Sequence, residues 1–241
     1  MDSKSYRLDR FIQKTKDIPV KRVRHLIAQR RVLVDGQLAT SIHQQINQFT
    51  HVTLDGQCLK DEKPLYVMLN KPKGIVSATK DVQHKTVIDL LPSDLQDKLH
   101  IVGRLDFNST GLILLTNDGR WSKAINNPAT KLPKYYRVTV DKPLEPHLID
   151  AFLKGFYFAY EQVTTQPAAL AIIAPFVAEV TLTEGRYHQI KRMFGHFQIE
   201  VLTLHRFAVG NLHLDTTLKE GEHRVLSEEE ASATLGDLAT R

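Results

Sequence analysis

The stretch Gly103-Arg104-Leu105-Asp106-Phe107-Asn108-Ser109-Thr110-Gly111 runs directly into the apolar residues Leu112 to Leu115 and then into Asn117-Asp118-Gly119. A polar loop with glycine at both ends, followed by an unbroken apolar run that closes on turn residues, reads as a strand buried on both faces with the loop at its mouth. Rigid scaffolds present reactive side chains in this way. Asp106 is the candidate. Arg104 stands two positions earlier, so in extended backbone the two side chains share a face. A guanidinium there keeps a carboxylate ionised, which suits a nucleophile or base, and a surface ion pair in a turn is the competing reading. Ser109 is not flanked as Gly-x-Ser-x-Gly, so it is not taken as a serine nucleophile.

Charge is unevenly spread. Residues 1 to 31 hold 10 Lys and Arg against 3 Asp and Glu, a net of +7, and since the whole chain carries +5 the remainder sums to −2. Leu8, Phe11 and Ile12 recur at helical spacing, as do Val20, Val23, Leu26 and Ile27 after the break at Asp17-Ile18-Pro19. Two short amphipathic helices follow, with Arg7, Arg10, Lys14, Lys21, Arg22, Arg24, Arg30 and Arg31 on their outer faces. The strand-like pieces Val32 to Val34 and Val52 to Leu54 each end in Asp-Gly. A basic helix pair backed by a hairpin suits a phosphate backbone, and a solvated basic face is the bland alternative. No apolar run approaches the roughly 18 residues that span a bilayer, and the first ten residues are polar, so a soluble, cytoplasmic protein is expected. The single cysteine, Cys58, has no partner for a disulfide or a metal cluster.

Asp61-Glu62-Lys63-Pro64 marks a boundary, giving an N-terminal domain over 1–60, a linker over 61–65 and a larger domain over 66–241. The larger part begins with the buried-strand pattern Tyr66 to Asn70 and the bend Lys71-Pro72-Lys73-Gly74, whose lysines are expected at phosphate. Beyond the Asp106 loop, a short helix over 118–126 has Trp121 and Ile125 on one side. Lys134-Tyr135-Tyr136-Arg137-Val138 enters a strand, with Tyr136 and Tyr135 pointing opposite ways. A helix over 148–153 and strands over 168–173 and 178–183 precede Glu184-Gly185-Arg186-Tyr187-His188-Gln189-Ile190-Lys191-Arg192-Met193-Phe194, where a strand turns into a helix with Arg186, Lys191 and Arg192 at one edge of a cleft. His188 and His196 have no acidic ligand between them, so no metal site is expected. The tail reads as strands over 201–214, a turn at Glu220-Gly221 and a capped helix after Ser227.

Gly-Arg-Leu-Asp-x-x-Ser-Thr-Gly-Leu with its apolar strand and Asn-Asp-Gly resembles the catalytic motif of pseudouridine synthases of the RsuA type, which isomerise uridine in ribosomal RNA. Leu69-Asn70-Lys71-Pro72-x-Gly74, the Lys134-x-Tyr136 pair and the Tyr187-to-Met193 stretch resemble its other blocks, in order. Arg7-Leu8-Asp9-x-Phe11-Ile12, Arg24-x-x-Ile27 and Val32-x-Val34-Asp35-Gly36 resemble the small S4-like RNA-binding module first described in a small-subunit ribosomal protein. The resemblance implies an α+β protein: an S4-like module ahead of a mixed, mostly antiparallel sheet domain with Asp106 in its central cleft. It implies that Tyr136 stacks on the target base and that Lys191, or else Arg192, pairs with Asp106.

Such a reaction breaks an N-glycosidic bond and remakes it at C5 with no redox change, so no cofactor and no metal are expected. An extruded base loses stacking neighbours, and an aromatic ring recovers roughly 1–3 kcal/mol of that. Asp106 attacks ribose C1′ or uracil C6; the sequence leaves both open. Arg7, Arg10, Lys21, Arg22, Arg24, Arg30, Arg31, Lys71, Lys73, Arg104, Lys134, Arg186 and Arg192 are the expected RNA contacts. The expected partner is 16S ribosomal RNA, free or in a partly assembled small subunit, met by a monomer with no membrane. Large-subunit ribosomal RNA and a non-catalytic assembly role are the alternatives.

Overall fold

The computed structural model describes residues 5–236. Lys4, counted above in the basic excess, lies outside them. Two compact units emerge, residues up to Pro64 with Asp118–Arg120, and the rest.

In the first unit, the helices Leu8–Lys16 and Val20–Ala28 turn Leu8, Ile12, Val23, Leu26 and Ile27 inward. These pack with Val32, Val34, Ile46, Val52 and Leu54. Behind them is an antiparallel sheet in the order Gln37–Leu38, Val32–Val34, Val52–Leu54, Gln57–Lys60. Asp35-Gly36 and Asp55-Gly56 both have left-handed backbone, which closes tight hairpins. Asp9 is buried and accepts from Arg7 Nε and Nη2 and from the Arg10 amide, contacts that hold its carboxyl below the usual value, the Arg7 bond foremost.

The second unit is built on a nine-stranded mixed sheet whose main path runs Ala169–Ala174, Val177–Leu182, Lys134–Val140, Val201–Val209, Thr110–Thr116, Tyr66–Lys71, His223–Val225. Leu212–His213 joins Val201–Val209, and His100–Val102 joins Thr110–Thr116. The expected α+β architecture is what the chain adopts. Leu112 to Leu115 are all 0% exposed, because the sheet is covered on both faces. Leu112 and Leu114 pack with Met68 and Trp121, while Ile113 and Leu115 pack with Val67, Leu69 and Val87. Burial of each is worth roughly 1.5–3 kcal/mol, which fixes the strand and hence the loop in front of it.

Neighbours in this sheet are antiparallel except where Val201–Val209 meets Thr110–Thr116, which is parallel with His205 opposite Thr110 and Arg206 opposite Gly111. Gly111 has φ +101°, and a Cβ there would run into the Arg206 backbone. Gly111→Ala is therefore expected to cost about 3 kcal/mol or more, since backbone rather than a flexible side chain must give way. Urea denaturation with an unchanged midpoint would contradict this close approach.

Candidate active site

The Asp106 loop is tied down almost carbonyl by carbonyl. On one side Ser77 Oγ donates to Leu105 O at 2.6 Å and accepts from the Leu105 amide, and the Gly74 amide donates to Phe107 O. Lys71 is 0% exposed, and its ammonium donates to Pro72 O, Phe107 O and Ser109 O at 3.0, 3.3 and 2.8 Å. The expectation that Lys71 meets phosphate is corrected: the Lys-Pro-Lys-Gly bend turns it under the loop, and Lys73 is the exposed lysine of the pair. Burial pulls the Lys71 ammonium down to about 8, an effect opposed first by the Asp106 charge and then by Glu220.

On the other side lies Arg206, 1% exposed, bonded to Gly103 O and Leu112 O. Asp106 itself, with 30% of its side chain accessible, stands in the wall of a cavity of about 720 Å³. Tyr136 lines the same cavity from Lys134–Val140, the strand beside that of Arg206, together with Lys134, Arg104, Arg186, Gln189 and Arg206. Tyr136 is buried among Leu105, Val180 and Leu204, while Tyr135 turns the other way toward Phe207. Ser109 Oγ is buried at the cavity wall with no hydrogen-bond partner.

The expected cation partners are placed differently. The ion-pair contact that Asp106 makes is with His188 Nε2, at 3.7 Å, close enough to act when the ring is protonated. His188 holds left-handed backbone at φ 49° and stacks on the exposed Tyr187 ring at 3.9 Å. Lys191 is not in the cavity wall although its neighbours Gln189 and Ile190 are. Arg192 is committed elsewhere: Nη1 and Nη2 donate to Glu161 at 2.6 and 2.8 Å, and the guanidinium lies 3.5 Å from the centre of the Phe158 ring. That bidentate, ring-stacked clasp holds the helix Gln189–Gly195 to the hairpin of Tyr157–Phe158 and Val163–Thr164, and it explains why Arg192 does not turn to Asp106 or to phosphate. Arg104 is exposed at the cavity rim, and among the described residues no ion pair joins it to Asp106.

Sequence reasoning missed Arg206 and the role of His188. Arg206 had a signal, a lone arginine inside the apolar stretch Leu204 to Val209; His188 had none beyond its place in the motif.

A carboxylate on a tied-down loop, a tyrosine ring and several cations line one cavity, an arrangement able to hold a flat polar ring against an anionic group. Residues 65–196 match the family model described as RNA pseudouridylate synthase. The chain is 47% identical over 225 residues to a Pseudomonas aeruginosa protein named ribosomal small subunit pseudouridine synthase A, covering 93% of this chain and 98% of that one. It is 39% identical over 230 residues to the Escherichia coli K12 protein of the same name, covering 95% and 100%. A crystal structure described as a pseudouridylate synthase superposes with a TM-score of 0.69 at 37% identity, covering 95% of this chain and 99% of that one. The chain belongs to the RNA pseudouridylate synthase family and is an isomerase.

Lys134 gives a testable handle on the cavity. Burial, helped by the nearby Arg206 charge, lowers its ammonium to about 8, so near pH 8 it is about half neutral in the free protein. An anion entering the cavity favours the charged form, and RNA binding at that pH is expected to take up part of a proton. Calorimetric binding heats should then vary with the ionisation enthalpy of the buffer, less so for Lys134→Met; buffer-independent heats in the unmodified protein would remove Lys134 from the binding site.

Proposed function

We propose that this protein converts one uridine of 16S ribosomal RNA to pseudouridine, with Asp106 as nucleophile. The observation that carries the reading is the pairing of an accessible Asp106 carboxylate with the Tyr136 ring in one cavity large enough for a nucleoside. The choice of RNA rests on the shared name of the Pseudomonas and Escherichia relatives, ribosomal small subunit pseudouridine synthase A, across nearly the full chain.

The nucleotide is turned out of its stack into the cavity, with Tyr136 supplying a face for the uracil. Asp106 bonds either to C1′, as the electron pair of the broken C1′–N1 bond goes to N1, or to uracil C6, as the C5–C6 π pair moves toward O4 and the C1′–N1 bond then breaks with its pair on N1. Either route frees the base to turn, after which C5 bonds to C1′, the carboxylate is released with its electron pair, the C5 proton leaves with help from the Tyr136 hydroxyl and N1 ends protonated. Lys191 enters as partner of Asp106 only if substrate draws it in from the neighbouring helix turn.

Affinity without sequence reading comes from the N-terminal unit, taken as an S4-like module, through the exposed Arg10, Lys21, Arg22, Arg24 and Arg30. Arg7 and Arg31 contribute less, because Asp9 and Asp55 already occupy them at 2.6 Å. Lys73 and Arg104 are exposed, and Arg104, Lys134 and Arg186 line the cavity, where they meet the phosphates flanking the target. The protein acts as a monomer in the cytoplasm, on free RNA or a partly assembled small subunit. Among the described residues no helix is long and apolar enough to cross a membrane.

Asp106→Asn is expected to abolish isomerisation while RNA affinity stays within a few-fold, measured with purified protein and small-subunit RNA. Pseudouridine formation by that variant would refute the nucleophile. Mapping of pseudouridines in cells lacking the protein should show one missing site in 16S RNA; a loss confined to large-subunit RNA would overturn the substrate and leave the chemistry standing.

A further inference from the structure

We propose that Arg206 is the positioning residue of this reaction: one buried guanidinium fastens both ends of the Asp106 loop and turns its charge toward the cavity in which Asp106 stands. This rests on Asp106 being the reacting carboxylate.

The geometry is specific to a planar fork. Arg206 Nε donates to Leu112 O at 2.8 Å, just past the loop, while Nη2 donates to Gly103 O at 2.9 Å and Nη1 reaches Arg104 O at 3.5 Å, just before it. Gly111 lets the Arg206 backbone approach in the parallel pair, where a Cβ would collide with it, and Gly103, whose carbonyl Nη2 binds, takes a positive φ of +75°. A lysine at 206 has three donors on one atom and cannot reach both ends in this pattern.

The charge is as informative as the bonds. Arg206 is 1% exposed, yet its recorded hydrogen bonds run to carbonyl oxygens and none to a carboxylate. Burying an ion on dipoles alone is costly, and neutral donors would splint carbonyls without that cost. Two carboxylates line the cavity, Asp106 and Glu184. Glu184 accepts from Arg186 Nε, Gln189 Nε2 and the Gln166 amide. Asp106, whose contact with His188 is an ion pair only when that ring is protonated, is the cavity carboxylate left to balance Arg206, and the cationic field is felt in the cavity, since it acts on Lys134. Arg206 thus takes the place expected of Arg104, Lys191 or Arg192, through the loop rather than by direct contact.

The test uses the full chain with Arg206→Lys and Arg206→Gln, following release of tritium from uridine C5 in small-subunit RNA with enzyme saturating and in excess. Thermal unfolding and RNA affinity are measured alongside. Both variants are expected to keep RNA affinity within about threefold, while the single-turnover rate per folded molecule falls roughly 100-fold for Gln and roughly 10-fold for Lys, as misplacement of a reacting group by about an ångström does. A merely structural arginine would lower the unfolding temperature and the folded fraction, with the rate per folded molecule intact, and that result overturns the proposal. Should Arg206→Gln not fold, a wild-type rate in Arg206→Lys overturns it equally. Activity retained by Asp106→Asn would instead bring down the underlying assignment; an inactive Asp106→Asn beside a fully active Arg206→Lys would bring down Arg206 alone.

Discussion

Two buried cations bonded to carbonyl oxygens hold the loop that carries Asp106. Lys71 binds Phe107 O and Ser109 O from one side, and Arg206 binds Gly103 O and Leu112 O from the other. An isolated charge in a protein interior is costly unless an opposite charge or a full set of dipoles answers it. Here the dipoles are the loop's own backbone, so the loop cannot leave its conformation without stranding both ions. That coupling makes Asp106 rigid while leaving its carboxylate accessible. It also makes that carboxylate the anion nearest in effect to the buried charge, as its influence on Lys71 shows.

The sheet supplies the register for this arrangement. Most neighbours in the sheet are antiparallel, but the junction that positions Arg206 is the parallel contact of Val201–Val209 with Thr110–Thr116. These strands are far apart in the chain, and their pairing brings the end of one motif against the start of a segment with no motif of its own. Tyr136 reaches the cavity because its strand lies beside Val201–Val209 on the other edge. Lys134 and Tyr136 on one of these strands and Leu204 and Arg206 on the other line the cavity, and the apolar clusters on both sheet faces keep the strands from shifting.

Much of this was legible in the sequence wherever a residue's neighbours in the chain determine its state. The Asp-Gly hairpins, the amphipathic helices, the doubly buried Leu112 to Leu115 and the helix with Ile190, Met193 and Phe194 inward all follow from local periodicity and turn chemistry. Asp106 and Tyr136 were legible because a motif fixes which residue faces the cavity. Partners were not. Whether Lys71 points to solvent or under the loop, and whether Arg192 reaches Asp106 or Glu161, depends on segments tens of residues away, and a long flexible cation satisfies either choice equally well in one dimension.

The same reasoning changes what the net positive charge means. Arg31, Arg137, Arg192 and Arg224 each sit within 3 Å of a carboxylate, and Lys71 and Arg206 are spent on backbone. Counting basic residues therefore overstates the field offered to a polyanion. In the N-terminal unit the exposed Arg10, Lys21, Arg22 and Arg24 are displayed on the two helices, with few acidic neighbours on the same elements, and Arg30 on the turn that follows. On the proposed reading, attraction and chemistry are thus separated along the chain. One segment keeps its cations in water, where salt governs their strength, and the other buries its cations, where they are screened least and can fix the geometry of a single carboxylate.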